Sequence, residues 1–152
     1  MIEIEAKFSV PNNVMFSKYV ECDRIGEFYL GQGTTNHIVD NYLDTIDDDI
    51  WNAGYKMRVR NTGEHSCITI KSASSAHHYF SVRREIEFEL HSDPNDILQW
   101  TNKEAITLVV PIVAGKPLNV KVKLKQRRYV RDLFYDGYCI GLFSLDEVVV
   151  CY

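Results

Sequence analysis

Glu3, Glu5 and Lys7 fall at every second position near the start of the chain, the spacing that puts three side chains on one side of a β-strand. Carboxylates two residues apart in a strand lie about 7 Å apart. Both can therefore approach one hard divalent cation, directly or through water, and carboxylate oxygen suits Mg2+ or Mn2+. Lys7, one step further on, can meet a phosphate without neutralising the metal position. Alone, such a trio reads equally as a solvated edge strand. The same theme recurs, however. Arg58 and Arg60, Lys71, Arg83 with Glu85 and Glu87, and Lys125 with Arg127 occupy the polar sides of further alternating segments, with few Ser, Thr, Asn or Gln among them.

Those segments define the elements. Ile2, Ile4, Ala6 and Phe8 oppose the first trio; Met57 and Val59 oppose Lys56, Arg58 and Arg60; Ile68 and Ile70 oppose Thr69 and Lys71. Period-two alternation of this kind predicts strands, and Asn61-Thr62-Gly63-Glu64 reads as the hairpin turn between two of them. From Phe80 to Leu90, Val82, Ile86, Phe88 and Leu90 oppose Arg83, Glu85, Glu87 and Glu89, with Arg84 an exception on the apolar side. Val120, Val122 and Leu124 oppose Lys121, Lys123, Lys125 and Arg127. Further strands are expected over 38–43, 107–113 and 138–150, the last broken near Gly141 or Ser144. Helices are expected after an Asn12 or Asn13 cap to about Ile25, and after Asp93 with Pro94 in the first position.

A closed antiparallel barrel with its apolar side outward, covered by helices, would gather the charged faces into one lumen. An outer-membrane barrel alternates in the same sense, but two helical insertions and an opening of Glu3, Glu5 and Lys7 in place of an export signal argue against it. The 152 residues suit one domain. A net charge of −4 argues against a general nucleic-acid binder, so any basic site must be local. No apolar run reaches transmembrane length. Cys22, Cys67, Cys139 and Cys151 form no C-x-x-C pair, which predicts reduced thiols in a cytoplasmic protein.

With these residues in view, the chain resembles the CYTH superfamily, the triphosphate tunnel metalloenzymes, which include inorganic and thiamine triphosphatases and class IV adenylyl cyclases. EIEAK at 3–7 matches the ExExK signature; YLDT at 42–45, KMRVR at 56–60, ITIK at 68–71, RREIE at 83–87, KQRR at 125–128 and LDEV at 145–148 follow in order. The resemblance implies an α+β, mainly antiparallel fold: a closed or nearly closed eight-stranded tunnel-like barrel with a charged lumen and helices outside. It also implies that Lys7, Arg58, Arg60, Lys71, Arg83, Lys125 and Arg127 bind phosphate. Glu3, Glu5, Glu87 and Asp146 would hold metal, with Glu85 a metal or water-positioning residue. The implied cofactor is Mg2+ or Mn2+, and the implied partner is a triphosphate-containing small molecule, without nucleic acid or membrane; a homodimer is left open. The expected reaction is hydrolysis of the terminal phosphate of inorganic triphosphate or a small organic triphosphate, with cyclisation of ATP or plain polyphosphate binding as alternatives.

Seven cations against five carboxylates leave a surplus that a triphosphate of about four to five negative charges with two divalent ions would bring near neutrality. The family pattern also carries two glutamates about eight and ten residues beyond Asp146. This sequence stops at Tyr152, so 1–152 reads as a single CYTH-like domain lacking its last strand. Other motifs are bland: His77-His78 reads as an exposed loop, Gly31-Gln32-Gly33 as a turn without nucleotide-fingerprint context, and Trp51 and Trp100 as packing residues.

Overall fold

The structure, a computed structural model, describes residues 2–63, 65–73, 75–77 and 80–151. Glu64 of the expected turn, His78 of the histidine pair and the terminal Tyr152 lie outside the described residues. The elements run β1 (Ile2–Glu5), α1 (Asn13–Glu21), β2 (Arg24–Ile25), β3 (Phe28–Leu30), β4 (Thr34–Asp44), α2 (Asp49–Asn52), β5 (Tyr55–Asn61), β6 (Ser66–Ser72), β7 (Ser75–His77), β8 (Phe80–Glu89), a 3-10 turn (Ile97–Gln99), α3 (Lys103–Val113), β9 (Asn119–Tyr135) and β10 (Tyr138–Cys151). The expected α+β, mainly antiparallel architecture is present. Among the described residues the sheet has ten strands, where eight are expected, in the order β1-β8-β6-β5-β4-β9-β3-β2, with β10 on β9 and β7 on β8. Among the described residues hydrogen bonds do not close it into a ring. Among the described residues no helix is long and apolar enough to cross a membrane.

The apolar sides of β5, β6 and β8 form the core with α3. Met57, Ile68 and Ile70 are almost wholly buried against Ala105, Val109 and Val113, which recur at i, i+4 and i+8 along α3. This helix corrects two expectations. The β-branched run at 107–113 is helical because Asn102 caps it, accepting from the Ala105 amide at 3.1 Å, and because its apolar stripe finds the sheet. After Asp93 there is only the short 3-10 turn, which seats Trp100 against Phe88 at 5.3 Å between ring centroids. The exceptional Arg84 is explained as well: it faces α3 and pairs with Glu104. Residues 75–77, expected in a loop, pair with β8 as β7.

At the other end, α1 begins at Asn12, whose side chain accepts from the Met15 amide at 3.0 Å, and Tyr19 meets Phe143 of β10. The buried Arg131 of β9 donates to the carbonyls of Gly31, Cys22 and Leu30 at 2.5, 2.5 and 3.1 Å and reaches that of Val20 at 3.4 Å. Gly33 is a close-approach glycine, since a Cβ there would stand 2.0 Å from the Tyr129 hydroxyl. Ile2 and Ile4, expected under a helix, are 71% and 73% exposed on the outside of β1.

Candidate functional site

Antiparallel partners directly opposite one another share a face, and the register carries the polar face across the sheet in rows. Asp40, Arg60, Cys67 and Glu89 form one row; Tyr42, Arg58, Thr69 and Glu87 the next; Lys56, Lys71 and Glu85 a third. Glu3 of β1 lies opposite Arg83 of β8 and completes that side. The alternation in each strand thus puts six expected groups, Arg58, Arg60, Lys71, Glu85, Glu87 and Arg83, on one surface with Glu3 and Glu5.

Two ion-pair clusters cover this surface. In the first, Arg83 bridges Glu3 and Glu5 at 2.5 and 2.7 Å, while Lys71 contacts Glu3 at 2.6 Å and Glu85 at 3.3 Å. Burial alone would raise the Glu3 carboxyl, but Lys71 and Arg83 outweigh it and hold the group below its ordinary range. Glu87 accepts from the Thr69 hydroxyl at 3.1 Å. The second cluster centres on Asp40, which is wholly enclosed. Arg60 grips it in a two-pronged contact, 2.8 Å at each oxygen, Arg58 donates at 3.2 Å, and the Gln126 amide at 2.5 Å. Burial again pushes the carboxyl up, and the two arginines with Gln126 bring it below its usual value.

Gln126 also fixes the phase of β9. It meets Asp40, so Val122, Leu124, Gln126 and Arg128 share the charged face, Leu124 lying opposite Asp40 and Gln126 opposite Ile38. Lys125 and Arg127 therefore project from the other side. Lys125 is exposed there, and Arg127 pairs with Glu147 at 2.7 Å. Their expected place in the lumen is corrected: a one-residue change of phase reverses every side chain of a strand. Arg128 takes the position instead, held in a two-pronged pair with Asp146, 2.7 Å at each oxygen. Lys7 stands beyond the end of β1, 74% exposed, with Glu5 3.3 Å away. The residues missed by sequence reasoning are Asp40, Gln126 and Arg128. Their available signal was the i, i+2 pair Gln126–Arg128 together with an aspartate inside an otherwise ordinary strand.

Carboxylates on this face have the right donor chemistry for a hard divalent cation. Among the described residues no three His, Cys, Asp or Glu side chains converge on one point. That arrangement fits Mg2+, which commonly takes one or two protein carboxylates and fills its remaining positions with water and phosphate oxygens.

The CYTH domain family profile matches residues 1–151. Among solved structures the chain is similar to a Hippeastrum protein, a candidate adenylyl cyclase described as revealing a dominant triphosphatase activity, with a TM-score of 0.55 and 19% identity over 76% of this chain and 60% of that one. The chain thus spans about 60% of that protein's length, and the likeness gives the open sheet the tunnel-like fold of that relative. A Bacillus halodurans protein described as a candidate adenylate cyclase aligns over 97% of this chain and 76% of its own, with 11% identity and a TM-score of 0.47. No curated protein matches.

Proposed function

Because the chain belongs to the CYTH family, we propose that it is a divalent-metal-dependent hydrolase of the terminal phosphate of inorganic triphosphate or a small organic triphosphate. The observation that carries this reading is the gathering of Glu3, Glu5, Lys71, Arg83, Glu85, Glu87, Arg58 and Arg60 on one face. Guanidinium groups suit paired phosphate oxygens and ammonium supplies a compact charge. Arg83 and Lys71 would pass from Glu3 and Glu5 to the phosphate chain, leaving those carboxylates to hold Mg2+ or Mn2+. When bound, such an ion supplies charge neutralisation on phosphate oxygens and an acidified water. Arg58 and Arg60, braced by Asp40, would orient the chain, and Arg128 would meet it from β9. Glu87 would join Glu3 and Glu5 in holding the ion, and Glu85 would hold metal or position the attacking water. Asp146, paired with Arg128, would join the carboxylates as a further metal ligand. The four unpaired cysteines suit a reducing compartment such as the cytoplasm.

The test supplies inorganic triphosphate, thiamine triphosphate or ATP with each metal and follows phosphate, pyrophosphate and cyclic AMP. Phosphate release that falls at least about a hundredfold in Glu5→Gln supports the proposal. Pyrophosphate with cyclic AMP would make the chain a cyclase; tight binding without product would make it a polyphosphate-binding module.

A further inference from the structure

A cavity of about 510 Å³ opens where β4 and β5 meet α2, with Tyr42, Trp51, Tyr55, Lys56 and Lys121 in its wall. Its size is that of a small-molecule site. It continues the charged face, because Lys56 lies directly opposite Lys71 in the β5–β6 register, and Lys71 is the residue that touches Glu3 and Glu85. Phosphate chemistry accounts for the two lysines but not for three aromatic rings.

Trp51 is the anomaly. It is 60% exposed, whereas the other tryptophan, Trp100, is 5% exposed in the core. Its backbone is fixed from below: the buried Asp44 carboxylate accepts from the amides of Thr45, Ile50 and Trp51 at 2.8, 2.9 and 3.0 Å, which pins the one-turn helix α2 to the end of β4. A large ring held out on a rigid support offers a flat apolar surface to a ligand. The Lys56 ammonium stands 4.9 Å from the centroid of that ring. Among the described residues it forms no ion pair, whereas the charge of Lys121 is met by Asp48 at 2.8 Å and the Ile46 carbonyl at 3.0 Å. The cavity therefore combines an exposed aromatic ring with a cation that lies beside it and forms no ion pair among the described residues, at its junction with the charged face.

We propose that this cavity is the subsite for a planar ring carried on the non-transferred end of the triphosphate. The ring lies against Trp51, and Lys56 meets the phosphate nearest to it. The proposal rests on the reading that the charged face holds the phosphates. It selects a ring-bearing organic triphosphate over the inorganic one, with Trp51 and Lys56 as the residues that discriminate.

ATP and inorganic triphosphate, titrated separately into the wild-type chain, Trp51→Ala and Lys56→Ala, provide the test by calorimetry and tryptophan emission. Trp51→Ala is expected to weaken ATP about tenfold more than inorganic triphosphate, the scale of one ring stacked on an aromatic side chain. Lys56→Ala should shift the preference in the same direction. ATP, but not inorganic triphosphate, should quench the emission of the exposed tryptophan. Equal weakening of both ligands in both variants, or ATP binding that ignores them, overturns the subsite while leaving the phosphate reading standing. Failure of the wild-type chain to bind either ligand overturns both.

Discussion

Asp40 is completely enclosed by Arg58, Arg60 and Gln126, whereas Glu3, Glu5 and Arg83, on the same face of the same sheet, keep 23%, 29% and 17% of their side-chain surface in contact with solvent. In the Asp40 cluster two guanidinium groups surround one carboxylate on the central strands. In the cluster near the β1 edge, three carboxylates, Glu3, Glu5 and Glu85, share the two cations Lys71 and Arg83. A carboxylate sealed from water cannot lose a partner without a large desolvation penalty, so the Asp40 cluster holds its arginines in one geometry. A pair that keeps contact with solvent can exchange one partner for another at lower cost, because water takes up the released group. One face therefore joins a fixed cationic clamp to an acidic rim whose ion pairs are free to rearrange around a ligand.

The comparison breaks most directly on stability. Asp40→Ala should cost about 3 kcal/mol in urea unfolding, against less than about 1 kcal/mol for Glu3→Gln; equal costs would erase the distinction. Arg128→Ala should raise the triphosphate Kd about tenfold, the worth of a charge-assisted contact, while Arg127→Ala should change it by about twofold or less; calorimetric titration of both separates the two faces of β9. The acid side of the stability curve sharpens the contrast. Asp40 and Glu3 are both held below their ordinary range. Their pairs stabilise the fold above about pH 4, and that contribution disappears as the pH falls further and the carboxylates take up protons. Asp40→Asn should flatten this limb more than Glu3→Gln, as followed by thermal unfolding at stepped pH. The smallest effect belongs to the exposed Arg84–Glu104 pair, where Glu104→Ala should cost about 0.5 kcal/mol.

Where each residue declares its face, the sequence is legible. In β5, β6 and β8, Met57, Ile70 and Ile86 alternate with polar or charged residues, so strand, phase and charged surface follow from period two alone. In β9 the same reasoning misleads. Val122 and Leu124 look like core residues, yet they lie on the charged face, and only the contact between Gln126 and Asp40 settles the phase. That contact joins residues 86 positions apart, and no local pattern encodes it. The segment at 107–113 fails differently: Val109, Val110 and Ile112 favour a strand, and Pro111 discourages a helix, but the Asn102 cap and the Ala105–Val109–Val113 stripe were present in the sequence and prevail once the sheet supplies a surface. Trp51 could not be distinguished from Trp100 by type, since exposure here is set by where α2 is pinned.

Arg131 carries a consequence for how the molecule opens. A single guanidinium that gathers backbone oxygens from α1, from the turn after it and from the approach to β4 ties a peripheral helix of nine residues to a long central strand. Amide protons of α1 should then exchange in step with those of β9, as one cooperative unit, in place of fraying independently as a short surface helix would.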